Sequence, residues 1–318
     1  MLTAPDGSPI SSFCFGAMQF GRGADLSAAQ AMYADCRAAG INFFDTAHGY
    51  SGGLSEEWLG QLVRHERDRV FFATKLAAQG GSGRVNIQNQ FRISQQRHGL
   101  ESVDLLYLHR WDPETPLQET FEALAGLKAA GKIRHIGVSN FAAWQVMKSV
   151  RVAADFELRI VAIQPMYNLV KREAETEILP MARDQGIAVF PYSPLGGGLL
   201  TGKYRDGGQG RLTTDQIYSA RYGESWMHDT AAALCEVAHE VGQSSSTLAV
   251  AWVAANPDIT APIISARSPE QLEQSLRAMG LKLGKDLHRR ISALSRAPAS
   301  ATDRSEDPSP FAAVSVVE

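Results

Sequence analysis

Residues 41–51, INFFDTAHGYS, carry the strongest indication of both fold and function in this 318-residue sequence. The stretch begins with a short apolar run, which is typical of a buried strand, and then turns abruptly polar. Polar, titratable groups directly after a core strand do not help the core. In a barrel of parallel strands, the carboxyl ends of the strands form the edge where active sites are built. Asp45 and Tyr50 are therefore candidate functional residues.

Short apolar runs alternate with amphipathic stretches along almost the whole chain. Their nearly continuous apolar character is typical of parallel strands that are covered on both faces. The predicted strands are 13–15, 41–45, 70–74, 103–108, 135–138, 160–163, 188–191 and 261–264. Eight strand–helix units without a break in composition predict an α/β fold, a single-domain (β/α)8 TIM barrel over residues 1–296. An open doubly wound sheet is the alternative, and it is disfavoured because residues 16–21 lack the Gly-x-Gly-x-x-Gly pattern.

Helix punctuation supports this alternation. Ser27 can begin a capping box in the first helix, and Pro116 is predicted at the first helical position of a later one. Ser268, followed by proline, predicts another helix start. Pro180 lies inside the helical pattern of residues 172–185, so we expect a kink or an early end at that residue.

Two regions differ from the strand–helix pattern. Residues 204–224 are glycine-rich and polar, and they precede a predicted helix at 225–241. The segment is too long for an ordinary barrel loop, so we expect a mobile flap over the site. Residues 297–318 are rich in Pro, Ser, Ala and Asp and predict a flexible tail.

Composition excludes several classes of protein. The formal net charge is −3 without a basic run, so nothing points to nucleic acid or to an anionic membrane surface. No segment approaches the roughly 20 apolar residues that cross a bilayer, and the N-terminus lacks the pattern of a signal peptide. Cys14, Cys36 and Cys235 form neither a disulfide framework nor a metal cluster. We therefore expect a cytoplasmic protein without a metal site.

Further polar groups follow the other predicted strands, in recognisable phrases. In chain order these are DTAHGYSGGLSE, FFATK, DLLYLH, GKIRHIGVSNF, QPMYN and PYSPLGGGLLTGKY. Each phrase alone would be a weak signal, but all six occur in order at predicted strand ends. Over roughly residues 10 to 280, the sequence resembles the aldo-keto reductase family. The glycine-rich phrase and the length are similar to the bacterial and potassium-channel β-subunit branches.

The resemblance implies a catalytic tetrad of Asp45, Tyr50, Lys75 and His109. Carbonyl reduction needs a hydride on carbon and a proton on the developing alkoxide. Tyr50 is the implied proton donor, and a free tyrosine titrates near ~10. A Lys75 ammonium close by would lower that pKa, with Asp45 holding the lysine charged. His109 would orient the carbonyl oxygen by a hydrogen bond.

Each of these residues alone has an ordinary structural interpretation. Asp45 and Lys75 could be an ion pair that closes a barrel rim, and Tyr50 could be a loop tyrosine. A lone His109 is more often a histidine with satisfied hydrogen bonds than a catalyst. Because all four residues occur together at predicted strand ends, the functional interpretation is favoured. His48, in the same opening stretch, is expected to have a solvent or supporting role.

The resemblance also implies cofactor contacts. Ser139, Asn140 and Gln164 would hold the nicotinamide carboxamide, since together they supply donors and acceptors. Tyr192 would stack on the nicotinamide ring. Small residues and a cation would lie along the pyrophosphate, namely Ser193, Leu195, Gly196 and Lys203.

The adenine end departs from the family pattern in two places. Arg267 and Gln271 fit it, whereas Ser265 replaces the usual glycine and Ser275 the usual asparagine. The planar donors of Arg267 suit a 2′-phosphate, so the resemblance implies NADPH as the cofactor, with NADH possible. Arg211, in the predicted flap, is a further candidate for the phosphates.

The resemblance implies an NADPH-dependent reductase of aldehydes or ketones, with hydride transfer from nicotinamide C4. A small-molecule carbonyl substrate would contact Met18, Tyr50, His109 and Trp111, together with Tyr222 and Trp226 of the flap. Two alternatives remain open. One is a sugar or alcohol dehydrogenase that uses NAD(P)⁺, and the other is a cofactor-loaded regulatory subunit without turnover.

Overall fold

The protein is described by a computed structural model that covers residues 1–205, 207–302 and 304. Within these residues eight strands form one parallel sheet: β1 Cys14–Gly16, β2 Phe43–Asp45, β3 Phe71–Leu76, β4 Val103–Leu108, β5 Ile133–Ser139, β6 Ile160–Gln164, β7 Ala188–Val189 and β8 Ile263–Ile264. They lie in the order β7-β6-β5-β4-β3-β2-β1-β8. The backbone N–H groups of Thr260 and Ile263 donate to the carbonyls of Val189 and Pro191, which joins the two ends of the sheet. The predicted (β/α)8 barrel is confirmed.

Helices follow the strands, most of them on the outside of the barrel. They are α1 Leu26–Ala38, α2 Leu54–Val63, α3 Arg84–His98, α4 Leu117–Ala129, α5 Ala143–Ala154, α6 Ile178–Gln185, α7 Arg211–Thr214, α8 Gln216–Arg221, α9 Ser225–Glu240, α10 Ser245–Ala254, α11 Pro269–Arg277 and α12 Lys285–Ser292. Short 3-10 turns lie at Ala17–Gln19, Tyr50–Gly53, Arg64–Arg69, Glu173–Glu175, Gly196–Thr201 and Ala278–Gly280.

Two apolar cores explain why the strands are apolar on both faces. Side chains alternate along a strand, so Phe43 points into the barrel and Phe44 packs against the outer helices. Inside, the Phe43 ring lies edge-on to Phe71 at 4.9 Å and to Phe190 at 4.8 Å. The barrel interior below the carboxyl ends of the strands is thus filled mainly with aromatic and other apolar side chains, and the polar side chains of the predicted site lie at that rim.

The helix starts agree with the sequence in part. Ser268 begins α11 as predicted, and its hydroxyl accepts from the backbone N–H of Gln271 at 3.5 Å. The capping box at Ser27 is wrong. The cap is Asp25, whose carboxylate accepts from the N–H of Ala28 at 2.8 Å, so the cap of α1 lies two residues earlier than predicted.

Two prolines are also shifted from their predicted positions. Pro116 lies immediately before α4 and not at its first residue. Pro180 lies in the first turn of α6, where a missing N–H costs no helical hydrogen bond. The helical pattern of residues 172–185 is broken ahead of this proline, between Glu173–Glu175 and α6.

A close approach of two outer helices depends on Gly60 of α2. A Cβ built at this glycine would overlap the backbone carbonyl oxygen and Cα of His98 at the end of α3. The His98 side chain is fully buried, and its Nδ1 accepts from the N–H of Leu100 at 3.0 Å. Burial lowers the pKa of His98 to about 4, with the nearby Arg67 acting in the same direction.

The segment after β7 folds across the carboxyl face of the barrel. It contains α7 and α8, and Asp215 between them pairs with Arg22 of the β1 loop at 3.2 Å. The same carboxylate caps α8 by accepting from the N–H of Ile217. The mobility expected of residues 204–224 stays a prediction.

The predicted flexible tail, residues 297–318, lies mostly outside the described residues. Of its described part, the carbonyl of Ala299 accepts from the hydroxyl of Thr176 at 3.1 Å. Among the helices of the described chain, none combines the length and apolar character of a membrane span. In the same residues, no group of three or more His, Cys, Asp and Glu side chains is placed to hold a metal ion.

Candidate active site

The four residues predicted as a tetrad meet at the carboxyl rim of the barrel. Asp45 ends β2, Lys75 lies in β3, Tyr50 follows β2, and His109 follows β4. The Lys75 ammonium donates to Asp45 Oδ1 and lies 3.4 Å from the Tyr50 hydroxyl. The rings of Tyr50 and His109 meet edge to face, with centroids 5.8 Å apart. The phenol thus has a cation on one side and an imidazole on the other.

Lys75 is held in its charged form although its side chain is fully buried. Burial alone would lower its pKa, but the Asp45 carboxylate and the Tyr50 hydroxyl outweigh that effect and raise it. The ammonium also donates to the carbonyl of Thr46 at 2.7 Å. The second oxygen of Asp45 accepts from Gln164 Nε2 at 3.0 Å. The ion pair therefore has hydrogen-bond partners on both members, which a buried pair requires.

Burial sets the protonation of the other two groups. It raises the pKa of Tyr50, and the opposing effect of Lys75 is smaller. This net direction is opposite to the expectation drawn from Lys75 alone, because burial removes water from around the phenol and its anion loses solvation. Burial, with Lys75 and Arg110 nearby, lowers the pKa of His109 to about 3. At neutral pH the site presents a neutral phenol and a neutral imidazole.

Arg97 of α3 holds the loop that carries Tyr50. Its guanidinium donates to the carbonyl of His48 at 2.8 Å and to that of Gly52 at 3.3 Å, on either side of the tyrosine. The guanidinium packs on Gly53, where φ is 111° and an added Cβ would overlap it. His48 thus has a supporting position, and its Nδ1 lies 3.1 Å from a serine hydroxyl of α3.

Glu56 connects this loop to the strand that carries Lys75. The carboxylate is fully buried, lies 3.4 Å from Arg97, and accepts from the Thr74 hydroxyl at 2.7 Å. Burial raises its pKa despite these partners. Glu56 and Arg97 were not predicted from the sequence. Each is a charged residue on an amphipathic helix, and such a residue usually indicates a solvated face.

Above the tetrad lies a cavity of about 850 Å³. It is lined by most of the predicted site residues: Met18, Asp45, Tyr50, His109, Ser139, Asn140, Gln164, Tyr192, Ser193, Leu195, Lys203, Arg211, Arg267, Gln271 and Ser275. Lys75 lies behind Tyr50. This volume and the elongated set of lining residues suit a ligand larger than a simple carbonyl compound.

Amide and hydroxyl groups converge in the middle of the cavity. The Asn140 amide donates to the carbonyl of His109 at 2.9 Å, and its Oδ1 accepts from the Tyr192 hydroxyl at 2.7 Å. The Ser139 hydroxyl donates to the carbonyl of Gln164 at 2.9 Å. Asn140 has a φ of 58°, a left-handed conformation that asparagine tolerates better than most residues. These bonds orient the three predicted amide-binding side chains toward one place.

Beyond this point the backbone leaves room for a ligand. Gly197 and Gly198 line the cavity with φ values of 66° and 97°. A Cβ on Gly197 would lie 2.7 Å from the Tyr218 ring, and one on Gly198 would lie 3.3 Å from Lys203 Nζ. Side chains at either position would therefore fill the path between Tyr192 and Lys203.

The far end of the cavity carries buried polar atoms without a protein partner. Gln19 Nε2 and Ser265 Oγ are two of these atoms within the described chain, and both residues line the cavity. Arg267 and Gln271 lie beside them, and Gln271 Oε1 accepts from the backbone N–H of Arg267 at 3.3 Å. Buried polar atoms nearly always have partners, so these donors and acceptors are suited to a polar ligand.

Comparison with known proteins identifies this barrel. The family model described as Aldo/keto reductase family matches residues 12–296. The chain belongs to the aldo/keto reductase family. It is similar to the uncharacterized oxidoreductase YrpG of Bacillus subtilis strain 168, with 33% identity over 93% of this chain and 95% of the relative.

Other relatives span different functions. The chain is 34% identical to a probable voltage-gated potassium channel subunit beta of Oryza sativa subsp. japonica, over 86% of this chain and 88% of the relative. It is 30% identical to the L-glyceraldehyde 3-phosphate reductase of Escherichia coli strain K12, over 76% of this chain and 75% of the relative. The family and these oxidoreductases identify the chain as an NAD(P)H-dependent oxidoreductase.

Some predicted contacts of the reductase lie outside the cavity lining. Gly196 is buried behind the adjacent glycines and packs toward Tyr222. Trp111 lies edge-on to Phe141 at 5.4 Å, and it is not a lining residue. Tyr222 is fully buried, with its hydroxyl accepting from Asn168 at 3.3 Å.

Residues of α8 line the cavity in place of these aromatic side chains. Trp226 bonds to Glu224 and is not a lining residue either. Tyr218 and Arg221 of α8 line the cavity instead, and the Tyr218 hydroxyl accepts from Arg211 at 3.1 Å. Substrate contacts were predicted around Tyr222 and Trp226, but the helix face that lines the cavity was not, because the bounds of such short helices have little sequence signal.

Proposed function

We propose that this reductase uses NADPH to reduce aldehydes or ketones to alcohols, with Tyr50 as the general acid. The observation that carries the proposal is the position of the Tyr50 hydroxyl. It lies 3.4 Å from a buried, paired ammonium and beside the neutral His109 ring, at the bottom of the cavity. An isolated structural ion pair would not need a phenol and an imidazole on the cavity side of it.

The residues present fit a nicotinamide dinucleotide. Ser139, Asn140 and Gln164 would hold the carboxamide, and the Tyr192 ring would lie against the nicotinamide. Lys203, with the glycine path before it, would follow the pyrophosphate. When bound, the reduced nicotinamide supplies the hydride that the carbonyl carbon receives.

The protein's own groups supply the proton and the orientation. Because burial raises its pKa, the Tyr50 phenol is protonated at neutral pH and ready to donate to the alkoxide oxygen. Lys75 stabilises the phenolate as it forms, and Asp45 keeps that ammonium charged and in place. His109, with a pKa of about 3, orients the carbonyl as a neutral hydrogen-bond donor and does not compete as an acid.

The preference for NADPH is supported by the cationic adenine end. Arg267 and Arg211 both line the cavity, and the charge of Arg267 contributes to the lowered pKa of Arg211, after the larger effect of burial. A 2′-phosphate between them would relieve that repulsion. Ser265, with its unpartnered hydroxyl, gives the same end a donor for either dinucleotide, so NADH is expected as a weaker cofactor.

One assay separates the reductase from its alternatives. NADPH and NADH oxidation is measured across a panel of aldehydes, beside Tyr50→Phe and a control, Tyr33→Phe, whose hydroxyl bonds to Glu66 outside the cavity. We expect NADPH to be preferred, and kcat to fall by about 10²–10⁴-fold in Tyr50→Phe only, since general acid catalysis is worth that much.

The other outcomes identify the alternatives. NADPH binding without turnover of any carbonyl would favour a regulatory subunit, a role named for the Oryza relative. Efficient oxidation of sugars or alcohols with NAD⁺, without carbonyl reduction, would favour the dehydrogenase.

A further inference from the structure

The Tyr218 ring of α8 contacts two arginines inside the cavity of the reductase. The guanidinium carbons of Arg211 and Arg221 lie 5.0 Å and 5.2 Å from the ring centroid, and Arg211 also donates to the Tyr218 hydroxyl at 3.1 Å. All three residues line the cavity. The ring of the buried Tyr222 stacks on Tyr218 from below, with centroids 6.5 Å apart. One supported aromatic ring therefore places two cations in the same part of the cavity.

This part of the cavity is the path along Gly197 and Gly198. A Cβ on Gly197 would lie 2.7 Å from the Tyr218 ring, and one on the adjacent Gly198 would lie 3.3 Å from Lys203 Nζ. Two consecutive residues of the backbone thus pack against the ring that Arg221 contacts and against the ammonium of Lys203. These contacts place Arg221 and Lys203 along the same path.

The charge of Arg221 is not neutralised by the protein. Within the described residues, its guanidinium forms no ion pair and donates no hydrogen bond to another residue, and Lys203 forms no ion pair. The carboxylates that line the cavity in this described part of the chain are Asp45, already paired with a lysine, and Glu270 at the start of α11. The positive charge along the path is therefore available to an anionic ligand.

The chemistry of these groups favours phosphate as that anion. A guanidinium that rests on an aromatic ring keeps the N–H donors of its edge free, and they match two oxygens of a phosphate. The glycines let the same anion approach backbone N–H groups. Arg211 is used elsewhere, since it bonds to the Tyr218 hydroxyl and is proposed, with Arg267, for the 2′-phosphate. Arg221 is the cation that can join Lys203 at the pyrophosphate.

We propose that Arg221 binds the pyrophosphate of the dinucleotide together with Lys203, and that Tyr218 is the positioning residue that holds its guanidinium there. The inference rests on the proposed function, because it takes a nicotinamide dinucleotide as the ligand of this cavity. It adds that α8 serves the cofactor and not the carbonyl substrate. Its effect on affinity should be the same for NADPH and NADH, since both carry the pyrophosphate.

The test measures the dissociation constants of NADPH and NADH by quenching of protein fluorescence, which needs no turnover. Arg221→Met should weaken both dinucleotides by the same factor, about tenfold or more, as the loss of one charge-assisted hydrogen bond produces. Arg221→Lys should recover part of the affinity. The logarithm of Kd should depend less steeply on salt concentration in Arg221→Met than in the parent, because one charge contact is lost.

A double-mutant cycle with NADH, which lacks the 2′-phosphate, tests the role of Tyr218. Tyr218→Phe keeps the ring and should leave the Kd of NADH nearly unchanged. Tyr218→Leu removes the ring and should weaken NADH in the parent but have little further effect in Arg221→Met, because it acts through Arg221. The matched control is Arg296→Met, since Arg296 lies over the Trp226 ring at 5.1 Å, outside the cavity lining. It should change neither Kd.

Several results would overturn the assignment. One is unchanged affinity for both dinucleotides in Arg221→Met. A loss confined to NADPH would instead put Arg221 at the 2′-phosphate, and a raised KM for the carbonyl with unchanged cofactor affinity would put it at the substrate. Additive losses in the cycle would refute the positioning role of Tyr218. Equal loss of both dinucleotides, in a protein whose parent reduces no carbonyl, would keep the assignment and contradict the proposed function.

Discussion

The hold of Arg97 on the Tyr50 loop gives the sharpest prediction. In Arg97→Met the loop loses two hydrogen bonds, at His48 and Gly52, and Glu56 loses its cation. Hydrogen bonds to a charged group are worth about 1.5–3 kcal/mol each. Leaving a buried carboxylate unpaired adds to this, so we expect a loss of at least about 3 kcal/mol in the free energy of unfolding.

The same change should reduce catalysis, because Tyr50 is no longer fixed. A displacement of about 1 Å in a reacting group costs on the order of 10²-fold in rate. We therefore expect kcat to fall by about that factor, with little change in NADPH affinity. The assay is steady-state kinetics beside urea unfolding and cofactor fluorescence. Arg92→Met is the matched control, since Arg92 is exposed on the same helix and, among the residues that the structure describes, bonds only to Gln96.

Two results would refute this reasoning. If kcat stays within twofold of the parent while the protein is destabilised, Arg97 serves the fold and does not position Tyr50. If kcat falls as far in Arg92→Met as in Arg97→Met, the two carbonyl contacts of Arg97 are not what matters. Partial recovery of stability and kcat in Arg97→Lys would support the positioning role, since an ammonium can still donate to one carbonyl and pair with Glu56.

The remaining predictions concern stability and cofactor release. Gly60→Ala should destabilise the protein by about 1–3 kcal/mol, because the new Cβ meets rigid backbone. Gly126→Ala should instead stabilise it by about 0.5–1 kcal/mol, because Gly126 lies on an exposed helix face with no atom within 4 Å of an added Cβ. Urea unfolding of the two variants measures both changes. His98 has a pKa of about 4 in the folded protein, below its unfolded value near 6.5, so the unfolded state binds the proton first as the pH falls. About 2 kcal/mol of the free energy of unfolding should therefore be lost between pH 7 and pH 5. The loss should be smaller in His98→Asn, and urea unfolding at each pH measures it. Asp215→Asn removes the ion pair that joins the segment across the cavity to Arg22, so NADPH should be released faster in stopped-flow fluorescence. The increase should be at most about fivefold, because an exposed pair is worth at most about 1 kcal/mol. An unchanged release rate would show that this contact does not retain the cofactor.

The sequence predicted the barrel well because both faces of each strand must be apolar. Strand β4 was predicted at its observed bounds, whereas β8 is only Ile263–Ile264 and starts later than predicted. The backbone N–H of Ala261 instead bonds to the carbonyl of Val189, where the sheet closes. Such edges depend on which strands become neighbours, and one sequence does not show that.

The site divides in the same way. The reacting groups could be predicted since they follow strands in recognisable phrases. The packing around them could not, as the buried ion pairing of Glu56 with Arg97 depends on α2 and α3 lying side by side. The raised pKa of Tyr50 was missed for a related reason. Lys75 is visible in the sequence as a nearby charge, but the loss of water around the phenol is a property of the fold.

The bond between Gln164 and Asp45 has a consequence for which dinucleotide is accepted. Gln164 directs its NH₂ at the carboxylate of Asp45, and because Gln164 lines the cavity, its carbonyl oxygen is the group it would offer to a ligand. That oxygen can only accept, and an amide ligand offers it an N–H. A dinucleotide with nicotinic acid in place of nicotinamide would bring a second carboxylate against this oxygen and toward Asp45. If the proposed function is correct, Asp45, which holds Lys75, would thereby also favour an amidated over a deamidated cofactor.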